Sequence, residues 1–180
     1  MLFGKGKQSL SNKVIELARS GNKGAFGEIY DHFIKQIFRF MYFKTGKKEV
    51  AEDLTQNLFL KAFENISSFK GDGNLSAWLF SIARNLVADH YRYRKETINI
   101  DYVSEIETTD NEQASERGQA VMDFTTALSK LDEEEQGVIL LYTVEGYSFQ
   151  EIAEITGKSA GALRNIKYRA IKKLKDNYGK

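Results

Sequence analysis

The chain has 180 residues, 42% of them hydrophobic and 12% aromatic, and a formal net charge of +1 at pH 7. It is long enough for one ordinary domain or two small ones, and apolar enough to form cores. The absence of cysteine excludes disulfides, thiolate metal ligands and thiol nucleophiles. No apolar run approaches the roughly 18 residues of a membrane span and the first ten residues contain no signal-peptide core, so we expect a soluble, cytoplasmic protein.

The charges are unevenly distributed along the chain. Residues 1–95 contain 16 Lys/Arg and 9 Asp/Glu, residues 96–137 contain 2 and 12, and residues 138–180 contain 8 and 4. Two basic blocks therefore flank an acidic middle. One basic block is as often a solvated surface as a binding site, but two joined by an acidic stretch favour a polyanionic partner such as nucleic acid.

The first basic block has the periodicity of helices. A helix of about five turns is predicted before Gly46, a second over residues 47–69 and a third over residues 75–96, with a short helix within residues 11–20. The glycine-containing loop 70–74 separates the second helix from the third. The apolar stripes of the three long helices consist of Phe26, Ile29, Tyr30, Phe33, Ile37 and Met41, then Val50, Ala51, Leu54, Leu58 and Ala62, then Leu75, Leu79, Ile82, Ala83 and Leu86.

Residues 96–118 lose this periodicity and are acidic and poor in large apolar side chains. Such a stretch buries too little surface to offset the entropy of ordering it. Helical spacing returns with Val121, Phe124 and Leu128, and the chain has no proline to interrupt a helix. We therefore predict an all-α fold of two small helical domains, residues 1–95 and 119–180, joined by an acidic flexible linker over residues 96–118.

Residues 149–166 have the spacing of a helix-turn-helix. Such a hairpin needs a glycine with positive φ at its turn, here Gly157, and apolar side chains that hold the second helix against the first. Those inner positions are Phe149, Ile152, Ala153, Leu163 and Ile166. Lys158 occupies a position that is commonly apolar. The hairpin alone is compatible with a purely structural role, but the basic run over residues 164–175 favours DNA binding.

These motifs together resemble a bacterial RNA polymerase sigma factor of the extracytoplasmic-function (ECF) group of the sigma-70 family. Residues 29–96, which include the sequence EDLTQ, resemble region 2 of the family, and residues 128–175 resemble region 4. The resemblance implies a region 2 helical bundle, a region 4 helix-turn-helix and no catalytic centre. It also implies three partners: core RNA polymerase through its beta-prime and beta subunits, promoter DNA, and an anti-sigma protein.

The resemblance assigns the EDLTQ helix to a coiled coil of the beta-prime subunit; the alternative is a solvated helix face. The residues it implies for core polymerase binding are Asp53, Gln56, Asn57, Phe59 and Leu60. Asn57 stands where the family usually carries an acid.

The resemblance also implies that region 2 melts and binds the minus-ten element of the promoter. An unpaired base needs hydrogen-bonding, stacking and charged neighbours, which the loop and the third helix provide. The implied residues are Asp72, Gly73, Asn74, Arg84, Asn85, Asp89, Arg92 and Arg94. Tyr91 and Tyr93 are candidates for stacking on bases, and a solvated helix end is the alternative. We expect Trp78 to lie in the core.

In region 4, the second helix of the hairpin is implied to lie in the major groove of the minus-thirty-five element. The implied residues are Arg164, Asn165, Tyr168, Arg169, Lys172 and Lys173. Arg164 and Asn165 are predicted to contact base edges, and the two lysines phosphates. Ile166 and Lys167 reverse the family's usual basic-then-apolar order.

Two other function classes, an enzyme and an autonomous DNA-binding regulator, are less well supported by the sequence. The only histidines, His32 and His90, each follow an aspartate, but no nucleophile motif or metal-ligand spacing accompanies them. We therefore expect no enzyme activity, no metal and no cofactor. An autonomous helix-turn-helix regulator that acts without polymerase would explain the hairpin, but it leaves the EDLTQ helix and the loop 70–74 without a role.

Overall fold

The computed structural model describes residues 10–70, 74–98 and 116–178, and these contain α-helices and no β-strand. The predicted all-α fold is therefore confirmed. The helices are α1 (Asn12–Arg19), α2 (Lys23–Thr45), α3 (Lys48–Asn65), α4 (Leu75–Ile98), α5 (Glu116–Leu128), α6 (Glu133–Ile139), α7 (Phe149–Thr156) and α8 (Ala160–Tyr178). A 3-10 turn, Ile66–Ser68, follows α3, and a π-helical turn, Leu140–Val144, follows α6.

Helices α1 to α4 form a bundle, which we call the first half. Helix α2 begins where the side chain of Asn22 accepts a hydrogen bond from the backbone N–H of Ala25 (3.0 Å), and it ends at Gly46, whose φ is +68°. The predicted stop is therefore confirmed. The predicted stripes are largely buried, with Tyr30 exposed at the edge of its stripe. Trp78 is half-buried with its ring 5.4 Å from that of Phe69, as expected for a packed side chain.

Helices α5 to α8 form the second half. Helix α7 starts with a capping box, in which Ser148 and Glu151 each satisfy the other's backbone N–H, and it ends at Gly157 with a φ of +73°. The positive φ predicted for the hairpin turn is therefore confirmed. Leu163 and Ile166 of α8 are buried against α6 and α7.

The predicted linker is shorter at both ends than the sequence indicated. Helix α4 continues to Ile98 and α5 begins at Glu116, so each enters the predicted linker by three residues. Extending an existing helix adds one hydrogen bond for each residue ordered, which favours such extension even in polar sequence. Residues 99–115 lie outside the described part of the chain.

The two halves pack against each other, which the sequence did not predict. Their buried apolar residues form one continuous cluster, in which the ring of Phe80 in α4 lies 5.3 Å from that of Tyr147 in the second half. A second ring pair joins Phe43 of α2 to Phe124 of α5 at 5.1 Å. The halves are therefore joined by a hydrophobic interface as well as by the chain.

Candidate DNA-binding and polymerase-binding surfaces

The outer face of α3 carries four of the five residues expected to bind polymerase. Asp53, Gln56, Asn57 and Leu60 are exposed, and Leu60 retains 57% of its accessible surface. Phe59 is different: it is 4% exposed, and its ring packs against that of Tyr30 at 4.7 Å. Successive helical residues are rotated by about 100° from each other, which places Phe59 beneath the face that its neighbours form. Phe59 therefore supports this face from the core and is not part of its surface.

Asn74 is the first described residue after the loop between α3 and α4, since Asp72 and Gly73 lie outside the described residues. Its side-chain oxygen accepts hydrogen bonds from the hydroxyl of Ser76 (2.6 Å) and the backbone N–H of Ala77 (3.2 Å). Its amide nitrogen donates to the carboxylate of Glu154 in α7 (2.7 Å). Asn74 thus caps α4 and also contacts the second half.

Helix α4 presents Arg84, Asn85, Asp89 and Arg92 to solvent, at spacings that place them along one side of the helix. Arg84 donates to the backbone carbonyl of Ile155 (2.9 Å) in the last turn of α7, where carbonyls lack helical partners and favour a cation. Asp89 and Arg92 form an exposed ion pair at 3.0 Å. The side chain of Arg94 lies outside the described part of the structure.

The two tyrosines of this helix occupy different environments. The hydroxyl of Tyr91 donates to the backbone carbonyl of Lys44 (2.5 Å), which ties the ring to α2. Tyr93 is 73% exposed. Only Tyr93 therefore presents most of its ring to solvent for stacking on a base.

All six predicted DNA-binding residues of α8 are exposed, and five of them form a continuous polar and basic face. These are Arg164, Asn165, Tyr168, Arg169 and Lys172, and Tyr168 is 72% exposed. Leu163, Ile166 and Ala170 are buried on the opposite face. The apolar face thus fixes the helix and leaves the other face open to a ligand.

Lys173 is exposed and has partners within the chain, and its contact with phosphate stays a prediction. Its ammonium lies 2.7 Å from the carboxylate of Glu135 and 3.6 Å from that of Asp132. The hydrogen bond to Glu135 raises the pKa of Lys173. Glu135 is almost fully buried and also completes the capping box of α6 with Asp132. Lys173 therefore neutralises a buried carboxylate and ties α8 to α6.

The two departures from the helix-turn-helix pattern have physical explanations. The ammonium of Lys158 forms a 2.6 Å ion pair with Glu134 of α6, so the lysine braces the turn through charge. Ile166 takes the buried position, while the ammonium of Lys167 lies 3.9 Å from the ring centroid of Tyr142. A lysine stem can cover apolar surface while its charge interacts with an aromatic face.

Polar contacts across the interface between the halves were missed by the sequence analysis. Arg39 of α2 binds Glu145 through two hydrogen bonds of 2.7 and 2.5 Å, and the Glu145 side chain is only 1% exposed. The hydrogen bond to Glu145 raises the pKa of Arg39. Tyr147 donates to Gln36 at 3.2 Å, and burial raises its pKa. Gln36 and Arg39 adjoin the apolar stripe of α2. Polar side chains at the edge of a buried stripe are a weak sequence signal for a polar contact with another part of the chain.

Lys44 is a buried cation at the same interface. It is 7% exposed, and its ammonium donates to the backbone carbonyl of Glu133 (3.1 Å) and to the side chain of Gln136 (3.4 Å). Burial lowers the pKa of Lys44 to about 8, against the opposing influence of Glu133. The ordinary charged form of this side chain is therefore disfavoured in the packed structure.

Two negative findings apply to the described residues alone. They contain no group of three or more His, Cys, Asp or Glu side chains placed to hold a metal ion. None of the helices within them combines the length and apolarity needed to cross a membrane.

Comparison with known proteins identifies the family. The model for Sigma-70 region 2 matches residues 29–97, and the model for Sigma-70, region 4 matches residues 122–174. The ECF RNA polymerase sigma factor BldN of Streptomyces coelicolor is 35% identical over 170 residues, or 90% of this chain, which spans only 63% of BldN. The ECF RNA polymerase sigma factor EcfG of Rhodopseudomonas palustris is 32% identical over 130 residues, 72% of each protein.

A solved structure supports the same conclusion. The sigma factor RpoE from Bartonella quintana, in complex with the anti-sigma factor NepR, is 26% identical, with a TM-score of 0.72 over 84% of this chain and 94% of that one. The matching family models, the relatives and the shared fold all point to the same family. The exposed polar face of α3 and the helix-turn-helix of α7 and α8 are consistent with it. The chain belongs to the sigma-70 family of RNA polymerase sigma factors, in its extracytoplasmic-function group.

Proposed function

We propose that this sigma factor binds core RNA polymerase through the exposed face of α3 and directs promoter-specific transcription initiation through α4 and α8. The observation that carries the proposal is α8, which follows a helix-turn-helix glycine and exposes Arg164, Asn165 and Tyr168 on one face. Its activity would be that of an initiation factor acting in the cytoplasm, with no catalytic centre of its own. The functional units are proposed as residues 1–95 and 119–180, with residues 96–118 linking them.

The polymerase contact is assigned to Asp53, Gln56, Asn57 and Leu60. Three polar side chains around one exposed leucine suit a partner surface that combines charge with a small apolar pocket. Their α3 backbone is held by Leu54, Leu58 and Phe59 in the core, so the face is rigid before binding. We expect the beta-prime subunit to take this face, while the beta subunit contacts other parts of the chain.

The minus-ten element is assigned to the loop before α4 and to the exposed side of α4. In the packed structure, the amide nitrogen of Asn74 and the guanidinium of Arg84 are bonded to α7. Both groups keep further N–H donors, but these bonds hold them beside α7, and we propose that they bond to DNA fully once the bonds to α7 open. Asn85, Asp89, Arg92 and Tyr93 are exposed on α4, and we propose that they meet the DNA first.

The minus-thirty-five element is assigned to α8. Arg164 lies near the start of the helix, where a guanidinium can bond a guanine edge through two hydrogen bonds. Lys172 lies about two turns further on and is expected to contact phosphate, which carries no sequence information. Promoter DNA and core polymerase are thus bound by different helices, and the protein can connect the two.

An anti-sigma protein is proposed as a further partner. The solved structure of RpoE contains the anti-sigma factor NepR, and 94% of that RpoE chain is matched by this one. We propose that such a regulator competes with polymerase for this chain.

A binding experiment tests the assignment of the polymerase contact. The double variant Asp53→Ala/Gln56→Ala should bind purified core polymerase at least ten-fold more weakly, while its stability changes by only about 0.5 kcal/mol because both side chains are exposed. A matched control is Asp31→Ala/Lys35→Ala, which removes two exposed charged side chains from α2. If the α3 variant binds core polymerase as tightly as the control, the proposed contact is wrong.

A further inference from the structure

Two aromatic rings lie directly behind the DNA-facing surface of α8, and the proposed promoter contacts do not include them. Tyr142 belongs to the π-helical turn and Phe149 is the first residue of α7. Their ring centroids are 4.6 Å apart and their planes differ by 21°, so the rings are stacked. Both are half-buried, with apolar atoms against the core. We call this pair the aromatic platform.

The aromatic platform carries two cations of α8. The ammonium of Lys167 lies 3.9 Å from the centroid of Tyr142 and 5.9 Å from that of Phe149. The guanidinium carbon of Arg164 lies 5.4 Å from the centroid of Phe149. Both distances to the nearer ring fall within the range of a cation–π interaction. The platform therefore brings together the residue expected to contact a base and the lysine that departs from the family pattern.

These contacts restrain Arg164 without using its hydrogen-bonding capacity. A guanidinium that stacks on a ring keeps the N–H donors at its edge available for a planar, two-bond contact with a base. The ring also reduces the number of side-chain conformations that must be lost when the arginine binds, which increases affinity for the partner that fits. Lys167 adds a second contact between α8 and the platform, through the ring of Tyr142.

We propose that Phe149 is a specificity-determining positioning residue, which acts through Arg164 to sharpen recognition of the minus-thirty-five element. This inference rests on the proposed function, because it requires α8 to contact promoter DNA. Phe149 itself does not touch a base. Its ring holds the guanidinium of Arg164 in the orientation from which one base pair is recognised. The effect of the ring is therefore a stronger preference for the cognate promoter sequence.

The test compares holoenzymes formed from core polymerase and the full chain. Binding is measured on a cognate promoter and on single-base variants of its minus-thirty-five element. Phe149→Leu keeps an apolar side chain but removes the ring, and Phe149→Met is a second aliphatic variant should the leucine variant fold poorly. Phe149→Tyr retains the ring. Thermal unfolding and core binding of each variant are measured alongside.

We expect Phe149→Leu or Phe149→Met to reduce the preference for the cognate base about two- to five-fold, the range of one exposed cation–π contact. Phe149→Tyr should preserve the preference. Arg164→Ala should abolish the preference at that base, and adding Phe149→Leu to it should have no further effect, because the ring acts through the arginine.

Three results would overturn the proposal. One is an unchanged preference in both aliphatic variants. Another is an equal loss on every promoter, which would indicate a scaffold role. The third is a further loss of preference when Phe149→Leu is added to Arg164→Ala. A holoenzyme whose preference survives Arg164→Ala would instead refute the assignment of Arg164 to a base, so the two failures are distinguishable.

Discussion

Replacing the buried Lys44 with methionine should stabilise the protein at neutral pH. Burial lowers the pKa of Lys44 to about 8, whereas its ordinary value is 10.5. At about 1.4 kcal/mol for each pH unit, keeping this ammonium charged in the packed structure costs about 3 kcal/mol. Lys44→Met removes that cost but also removes hydrogen bonds to the Glu133 carbonyl and to Gln136, each contributing about 0.5–1.5 kcal/mol. The expected net gain at pH 7 is about 0–2 kcal/mol.

The dependence on pH provides a second readout of the same group. Because the pKa of Lys44 is lower in the folded than in the unfolded chain, the unfolded chain binds the additional proton between about pH 8 and 10.5. The free energy of unfolding should therefore rise with pH across this window, by about 2 kcal/mol between pH 7 and 9.5. Lys44→Met should lack this rise.

Equilibrium urea unfolding at several pH values measures both effects. Lys35→Met is the matched control, since Lys35 lies on the same helix and is exposed. Keeping the series at or below pH 9.5 limits the ionisation of ordinary tyrosines, and the control variant reports what remains. The reasoning is refuted if Lys44→Met is less stable than the natural protein at pH 7 and still shows the full rise in stability with pH.

Other predictions concern the interface between the halves and the DNA-binding helix. Arg39→Ala should cost about 3 kcal/mol or open the interface, because it removes a cation bonded to buried Glu145; hydrogen exchange of α7 reports opening, and adding Glu145→Gln should recover part of the loss. Brief proteolysis should cut first within the acidic, non-periodic sequence 96–118, and the two fragments should still elute together because they share one core; early cutting inside α3 would contradict this. Lys172→Ala should weaken all promoters alike and reduce the salt dependence of holoenzyme binding by about one ion, whereas Arg164→Ala should reduce the preference among minus-thirty-five variants.

Local chemistry explains why the helices could be predicted from the sequence. Phe26, Phe33 and Ile37 recur at helical spacing and are buried on one face. Gly46 and Gly157 stand where a helix ends with a positive φ. Each of these signals depends on residues close together in the chain. The family motifs further predicted that the region 2 half precedes the region 4 half along the chain.

Contacts between distant residues could not be predicted in this way. Arg39 and Glu145 are 106 residues apart, and nothing near either residue specifies the other. The same holds for Lys173 and Glu135, which form an ion pair although they are 38 residues apart. Phe59 was expected on the surface but is buried, for a different reason. Neighbouring positions on α3 differ by about 100° around the helix axis, so Phe59 lies in the core while Leu60 is exposed.

Run-off transcription on a library of promoters tests the central claim most directly. Purified core polymerase is assayed with and without this chain, on DNA in which the minus-thirty-five and minus-ten positions are randomised, and the chain alone is assayed for binding to the same duplexes. Defined start sites should appear only when core polymerase and the chain are both present, with two enriched elements at a fixed separation upstream. Specific selection of duplexes by the chain alone, with no new start sites gained by core polymerase, would contradict the assignment of this chain as a promoter-specific initiation factor.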